Sequence, residues 1–136
     1  MKIKPIAKPK KKRNQTSKYW RNKCDKLMQE TGREIYDRCL VCGGEYCCLH
    51  HYHRKGTSTI LRYNWENLIP ICVGCHFKHH NSDPNIHNRV NEVKGEEWIK
   101  ELEAIRKKGI GMTAGYVYYR EMYNKLLLLK PYKIKI

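Results

Sequence analysis

No apolar stretch in this chain approaches a membrane span: the longest purely aliphatic run, Leu126 to Leu129, has four residues, where a spanning helix needs about 20. Membrane insertion is therefore not expected. No segment resembles a cleaved apolar secretion signal, and the seven cysteines are an odd count with Cys47 and Cys48 adjacent. A protein of a reducing cytoplasm is expected. Acidic residues are scarce, with 13 Asp and Glu against 28 Lys and Arg and a formal net charge of +15. That balance points to a polyanionic partner such as nucleic acid; a solvated basic surface or a ribosomal-type contact would have the same composition. No internal repeat is visible. With 136 residues the chain makes one domain with tails and a modest core, a shortage that a bound metal would offset.

The chemistry is concentrated between residues 39 and 80, CLVCGGEYCCLHHYHRKGTSTILRYNWENLIPICVGCHFKHH. Two Cys-x-x-Cys knuckles, Cys39/Cys42 and Cys72/Cys75, can each turn two thiolates onto one ion. Gly43, Gly44 and Gly74 relax the turns. Together the knuckles supply the four soft ligands of a closed tetrahedral zinc site. A pair of buried reduced cysteines, or a redox dithiol, is the bland alternative. Six histidines, His50, His51, His53, His76, His79 and His80, fall within 31 residues around the knuckles. One or two of them, or Cys47 and Cys48, could replace a knuckle cysteine. If they do not, the imidazoles are free for other chemistry, including proton transfer near neutral pH.

The chain divides into a basic arm at 1 to 16, a domain at 17 to 130 with its core at 36 to 81, and a basic tail at 131 to 136. The arm carries seven basic residues in its first 13 and no acidic one. Lys10, Lys11, Lys12 and Arg13 can lie along a phosphate backbone or serve only as a solubilising tail. A helix is expected from Ser17, as cap, to about Thr31, with Gly32 as stop. Its buried stripe is Trp20, Cys24, Leu27 and Met28. Tyr46 to His53 and Ile60 to Ile69 suit two short strands joined by Arg54 to Ser58, and Val73 to His80 a short helix. Asp83 and Pro84 open another helix that buries Ile86, Val90 and Val93 and ends at Gly95. Glu96 to Lys107 forms the next, burying Trp98, Leu102 and Ile105. Thr113 caps a last helix to Leu129, stopped by Pro131. Its Tyr116, Tyr118, Tyr119 and Tyr123 can stack on bases or form half-buried packing.

His50-His51, Asn67 and a second knuckle running into His76 resemble the HNH nucleases of the ββα-metal fold. The strings HHYHRKGTSTILRYNWENLIPICVGCH and KGEEWIKELE are similar to those of the phage NinG (Rap) recombination proteins, the likeness covering about residues 18 to 128. The chain departs from those relatives at His50, where many carry a small residue, and has no counterpart of their longer cysteine-containing N-terminal segment. The resemblance implies an α+β fold, a small ββα-metal unit stapled by a four-cysteine zinc site and flanked by N- and C-terminal helices. It implies a phage-like enzyme of the host cytoplasm that hydrolyses DNA, duplex or branched, with a homodimer expected if four-way junctions are cut twice. In the implied site His51 is the general base and Asn67 braces its loop. His50 and His76 hold a catalytic divalent ion (magnesium, manganese, nickel or zinc), with His80 as a further ligand from the same helical face. Arg54, Lys55 and Arg62 are candidate phosphate contacts, and His53 could touch phosphate or metal. A non-catalytic, zinc-stabilised nucleic-acid-binding protein is the alternative.

Overall fold

The computed structural model describes residues 2 to 129; the expected tail at 131 to 136 and the stop at Pro131 lie outside them. The fold is α+β, with five α-helices and one two-stranded antiparallel sheet among the described residues. No helix among these residues is long and apolar enough to cross a membrane.

Residues 2 to 12 are exposed and without regular structure, and a single 3-10 turn, Arg13–Gln15, joins this arm to α1 (Ser17–Ile35). The cap is Thr16 rather than Ser17: its Oγ1 accepts the Tyr19 N–H at 3.2 Å. Cys24, Leu27, Met28 and Thr31 form the buried stripe. The helix does not stop at Gly32. A Cβ there would lie 2.6 Å from the Tyr46 hydroxyl and 2.7 Å from Leu49 Cδ1, so the glycine permits close packing and the helix continues another turn.

The sheet pairs β1 (Cys48–His51) with β2 (Leu68–Ile71), in the register Cys48↔Ile71, Leu49↔Pro70, His50↔Ile69, His51↔Leu68. The sequence pattern puts the second strand at Ile60 to Ile69, ending where the structure begins it. Residues 60 to 64 instead form turns whose Leu61 and Tyr63 fill the core, and a 3-10 turn, Trp65–Asn67, leads into β2. Pro70 is tolerated in the strand for a specific reason. Its partner Leu49 gives its N–H and C=O to the Gln29 side chain of α1, at 2.9 and 3.0 Å, so no ladder bond is asked of the missing proline N–H.

Four helices follow or flank this unit. α2 (Val73–His80) starts directly after β2; α3 (Pro84–Lys94) is capped by Asp83, whose side chain accepts the Asn85 N–H. Ile86 and Val90 are buried in α3, but Val93 is exposed. α4 (Glu96–Lys108) has Glu96 and Glu97 in its first turn and Arg106 to Lys108 in its last, matching the helix dipole at both ends. α5 (Tyr116–Leu129) starts three residues after the expected Thr113 cap. Tyr119 is buried on it, and Tyr116, Tyr118 and Tyr123 are half-buried.

The core has three parts. Cys24, Leu27 and Met28 of α1 pack with Leu49, Tyr63, Leu68, and Tyr119 and Leu126 of α5. Leu61 and Ile69 pack with Val90, Trp98 and Leu102 of α3 and α4. Cys39, Ile71, Cys75 and Ile86 form the third part, around the knuckles. β2 is buried at all four positions because helices cover both of its faces.

Candidate metal centre and histidine cleft

The two knuckles meet. The Sγ atoms of Cys39, Cys42, Cys72 and Cys75 all lie within 4.8 Å of one another, and Cys42 and Cys72 are 3.6 Å apart. Four sulfurs on a tetrahedral zinc with bonds of about 2.3 Å would be separated by about 3.8 Å, so the cluster has the size to hold such an ion. The backbone is already turned for it. The Gly44 and Cys75 N–H groups donate to Cys42 and Cys72 Sγ at 3.4 and 3.3 Å, and Gly43 takes a φ of 74° that a side chain would oppose. The Cys75 backbone N–H is the main reason that the Cys72 thiol is brought down to about 7, towards the thiolate that metal binding requires. Cys47 and Cys48 stand outside this group.

Beside it, along β1, lies a cleft of about 590 Å³. Neighbours on a strand point to opposite faces, yet His50 and His51 both line this cleft, with Cys48, Leu49 and the Gln29 side chain of α1. α2 contributes His76, His79 and His80. His76 and His80, one helical turn apart, bring their Nε2 atoms to 2.9 Å. His76 Nδ1 lies 3.4 Å from Cys48 Sγ, a contact that leaves Nε2 to face His80. The His50 ring centroid is 4.2 Å from that of His79, 5.3 Å from His76 and 6.2 Å from His80, and its Nε2 is buried with no hydrogen-bond partner among the described residues. Burial, reinforced by His79 and His76, pushes the His50 pKa down to about 3. Burial also lowers His76 and His79. These neutral rings keep lone pairs that a cation can take.

His51 is fixed differently. Its Nε2 sits 2.9 Å from the Arg62 carbonyl oxygen. A carbonyl can only accept, so Nε2 carries the proton and Nδ1 is the basic nitrogen. Burial is the main cause of its lowered pKa. Asn67, fully buried at the end of β1's connecting loop, accepts the His53 N–H at 2.8 Å and donates to the His53 and Leu61 carbonyls at 3.1 and 3.2 Å. It therefore ties together both ends of the segment that follows His51.

Other expected residues lie elsewhere. The Arg62 side chain is outside the cleft lining: it is 12% exposed and forms a two-pronged pair with Asp25 of α1, at 2.6 and 3.1 Å. His53 faces Glu103 of α4 at 3.9 Å and not the cleft. Arg54 and Lys55 are exposed at the cleft rim. Lys10, Lys11, Lys12 and Arg13 are exposed on the arm. His79 and Cys48 are visible in the sequence, as one of the six clustered histidines and as an alternative metal ligand, but their places beside His50 and His76 are not. Gln29 and Asp25 carry no signal there and reach the site only through the fold. Only the four cysteines bring three or more potential ligand atoms within 4.8 Å among the described residues, so His50 is near the His76–His80 pair without being gathered onto it. Comparison with protein-family models, with curated proteins and with solved structures finds no match.

Proposed function

We propose that the chain is a metal-dependent endonuclease of the HNH type that hydrolyses DNA phosphodiester bonds, the alternative being a zinc-stabilised DNA-binding protein without catalysis. The observation that carries this reading is the fixed tautomer of His51: Nε2–H on the Arg62 carbonyl, Nδ1 free, in a cleft that also holds a pair of convergent imidazoles. That is the arrangement a general base acting on water requires.

Two of the residues present, His76 and His80, are spaced for a divalent ion, and a third imidazole stands nearby. His76 and His80 offer two Nε2 atoms at 2.9 Å, the spacing of neighbouring ligands on one ion, and the buried His50 Nε2 has no other partner among the described residues. An ion held by His76 and His80, with His50 as third ligand, would neutralise phosphate charge and stabilise the departing oxygen. A set of imidazoles suits manganese, nickel or zinc better than magnesium. His51 Nδ1 takes the proton from the attacking water, and the Arg62 carbonyl stabilises the resulting imidazolium through Nε2–H. Asn67 keeps the loop after His51 from swinging. Arg54 and Lys55 draw the phosphate to the cleft. Branched recombination intermediates are the substrate that the NinG resemblance suggests.

The test is cleavage of supercoiled plasmid and of a labelled four-way junction with magnesium, manganese or nickel, comparing the parent protein with folded His51→Ala. Loss of a general base is expected to slow cutting by about 100- to 10,000-fold, with DNA binding retained. DNA binding without cutting under every metal would move the assignment to the non-catalytic alternative. A marked preference for the junction would favour the recombination substrate and a dimer.

A further inference from the structure

A second groove, of about 400 Å³, runs along the first half of α1. Four of its seven lining residues, Arg13, Lys18, Lys23 and Lys26, are basic and none is acidic. Two of the cations are held against aromatic rings. Lys23 Nζ lies 5.3, 5.2 and 5.0 Å from the ring centres of Tyr19, Trp20 and Tyr123, and the Arg13 guanidinium is 5.6 Å from Tyr19. At one end the groove is joined to the arm: Trp20 Nε1 donates to the Asn14 carbonyl at 2.8 Å and Thr16 Oγ1 to that of Arg13 at 3.1 Å. Lys10, Lys11 and Lys12 therefore lead into it. Beyond its other end, one turn past Lys26 on the helical face of Lys18, Asn22 and Lys26, stands Gln29, which lines the histidine cleft.

We propose that this face of α1 is a second DNA-backbone site, which takes the strand leaving the histidine cleft and leads it to the arm; the inference rests on the reading of the chain as a DNA-cutting enzyme. Its ligand is a row of phosphates: the groove offers positive charge spread along a helix and no acidic residue in its lining. The Glu30 carboxylate lies 4.0 Å from Lys26 Nζ in an exposed pair that contributes little in water. From Lys18 to Gln29 the helix rises about 16 Å, and a duplex at about 3.4 Å per base pair covers that length in about five pairs. The DNA footprint therefore extends about five base pairs to one side of the cut phosphate before the arm adds to it.

The experiment measures binding of a labelled duplex against salt in the non-cutting His51→Ala background. Lys18→Gln/Lys26→Gln is compared with Lys100→Gln/Lys108→Gln, which removes the same charge from α4. Removing one cation from a phosphate flattens the slope of log affinity against log salt by about 0.9, so the α1 pair is expected to flatten it by nearly two and weaken binding about tenfold. The α4 pair is expected to leave the slope nearly unchanged. Equal effects from both pairs would reduce the result to net charge and overturn the proposal. So would an unchanged α1 variant when Arg54→Gln/Lys55→Gln weakens binding, an outcome that leaves the nuclease reading standing. A parent protein that binds no DNA overturns both. A flattened slope in a chain that cuts no DNA with any metal supports the α1 site and removes the nuclease.

Discussion

At the scale of single residues, the proposed base, His51, is held by groups outside the cleft lining. Arg62 presents its carbonyl to His51, while its guanidinium is pinned by Asp25, which also accepts the Tyr63 hydroxyl at 2.7 Å. Burial alone would raise the Asp25 carboxyl; hydrogen bonds from Arg62 and Tyr63 outweigh it and hold the pKa below the usual value. A carboxylate depressed on folding stabilises the protein above its unfolded pKa of about 3.9, and that contribution fades as pH falls through the folded value. At pH 7 it is present in full. Asp25→Asn keeps the shape and removes the charge, leaving a largely buried guanidinium unmatched. A loss of about 2 to 3 kcal/mol in urea unfolding is expected. In the folded fraction, kcat for cutting should fall with KM nearly unchanged, since the change acts on the orientation of His51 and not on DNA contacts. Tyr63→Phe should move both in the same direction by less. A destabilised Asp25→Asn protein with full kcat would show that the His51 ring is held by something other than this chain of contacts.

Between elements, the close approach of α1 to β1 depends on Gly32. Exchanging glycine for alanine inside a helix favours the helix by about 1 kcal/mol. Here the new methyl would meet the Tyr46 hydroxyl and Leu49, one with its oxygen already buried and the other 3% exposed. The contact is tighter than a methyl allows, and overpacking of this kind costs about 1 to 3 kcal/mol. Gly32→Ala is therefore expected to lower the urea midpoint; an unchanged or raised midpoint would mean that Tyr46 swings aside. The same contact explains why the helix end is misread from sequence, where a glycine near the end of a periodic stretch reads as a stop. Elements whose signals are local are legible. α2 follows from the second knuckle, α3 from Asp83-Pro84, and α4 from its apolar stripe. The strands are not, because Leu61 and Tyr63 are core residues in turns, and a short apolar run looks alike in strand and turn. Pro70 speaks against a strand until Gln29, distant in sequence, takes up the Leu49 backbone. Arg62 and His53 suit phosphate by residue type, but their actual partners, Asp25 and Glu103, lie 37 and 50 residues away. The knuckles are legible because the ligand spacing is itself the motif, whereas the nearness of His79 to His50 depends on how α2 lies against β1.

Across the whole molecule, the three parts of the core would not depend equally on a metal held by the four cysteines. The part shared by α1 and α5 contains none of the knuckle cysteines, whereas the third is built on Cys39 and Cys75 with Ile71 and Ile86. Strands of four residues in a two-stranded sheet are too small to be stable unaided, and structural zinc contributes folding energy outright. Chelation is therefore expected to unfold the molecule in two stages. Residues 39 to 94, which carry the knuckles and the histidine cleft, should lose protection from hydrogen exchange first. The α1–α5 pair should hold longer, and added zinc should restore the first region at one ion per chain. Thiol alkylation gives an independent readout. Cys47 is exposed and should react before chelation; Cys39, Cys42, Cys72 and Cys75 should become reactive after it. Cys24 should resist throughout the first stage, since its Sγ is enclosed beside the Tyr119 carbonyl at 3.2 Å and burial pushes its thiol up to about 12, leaving almost no thiolate to attack. If Cys24 reacted in step with the knuckle cysteines, the α1–α5 pair would have no stability of its own, and the metal would hold together the entire chain and not only the half that carries the cleft.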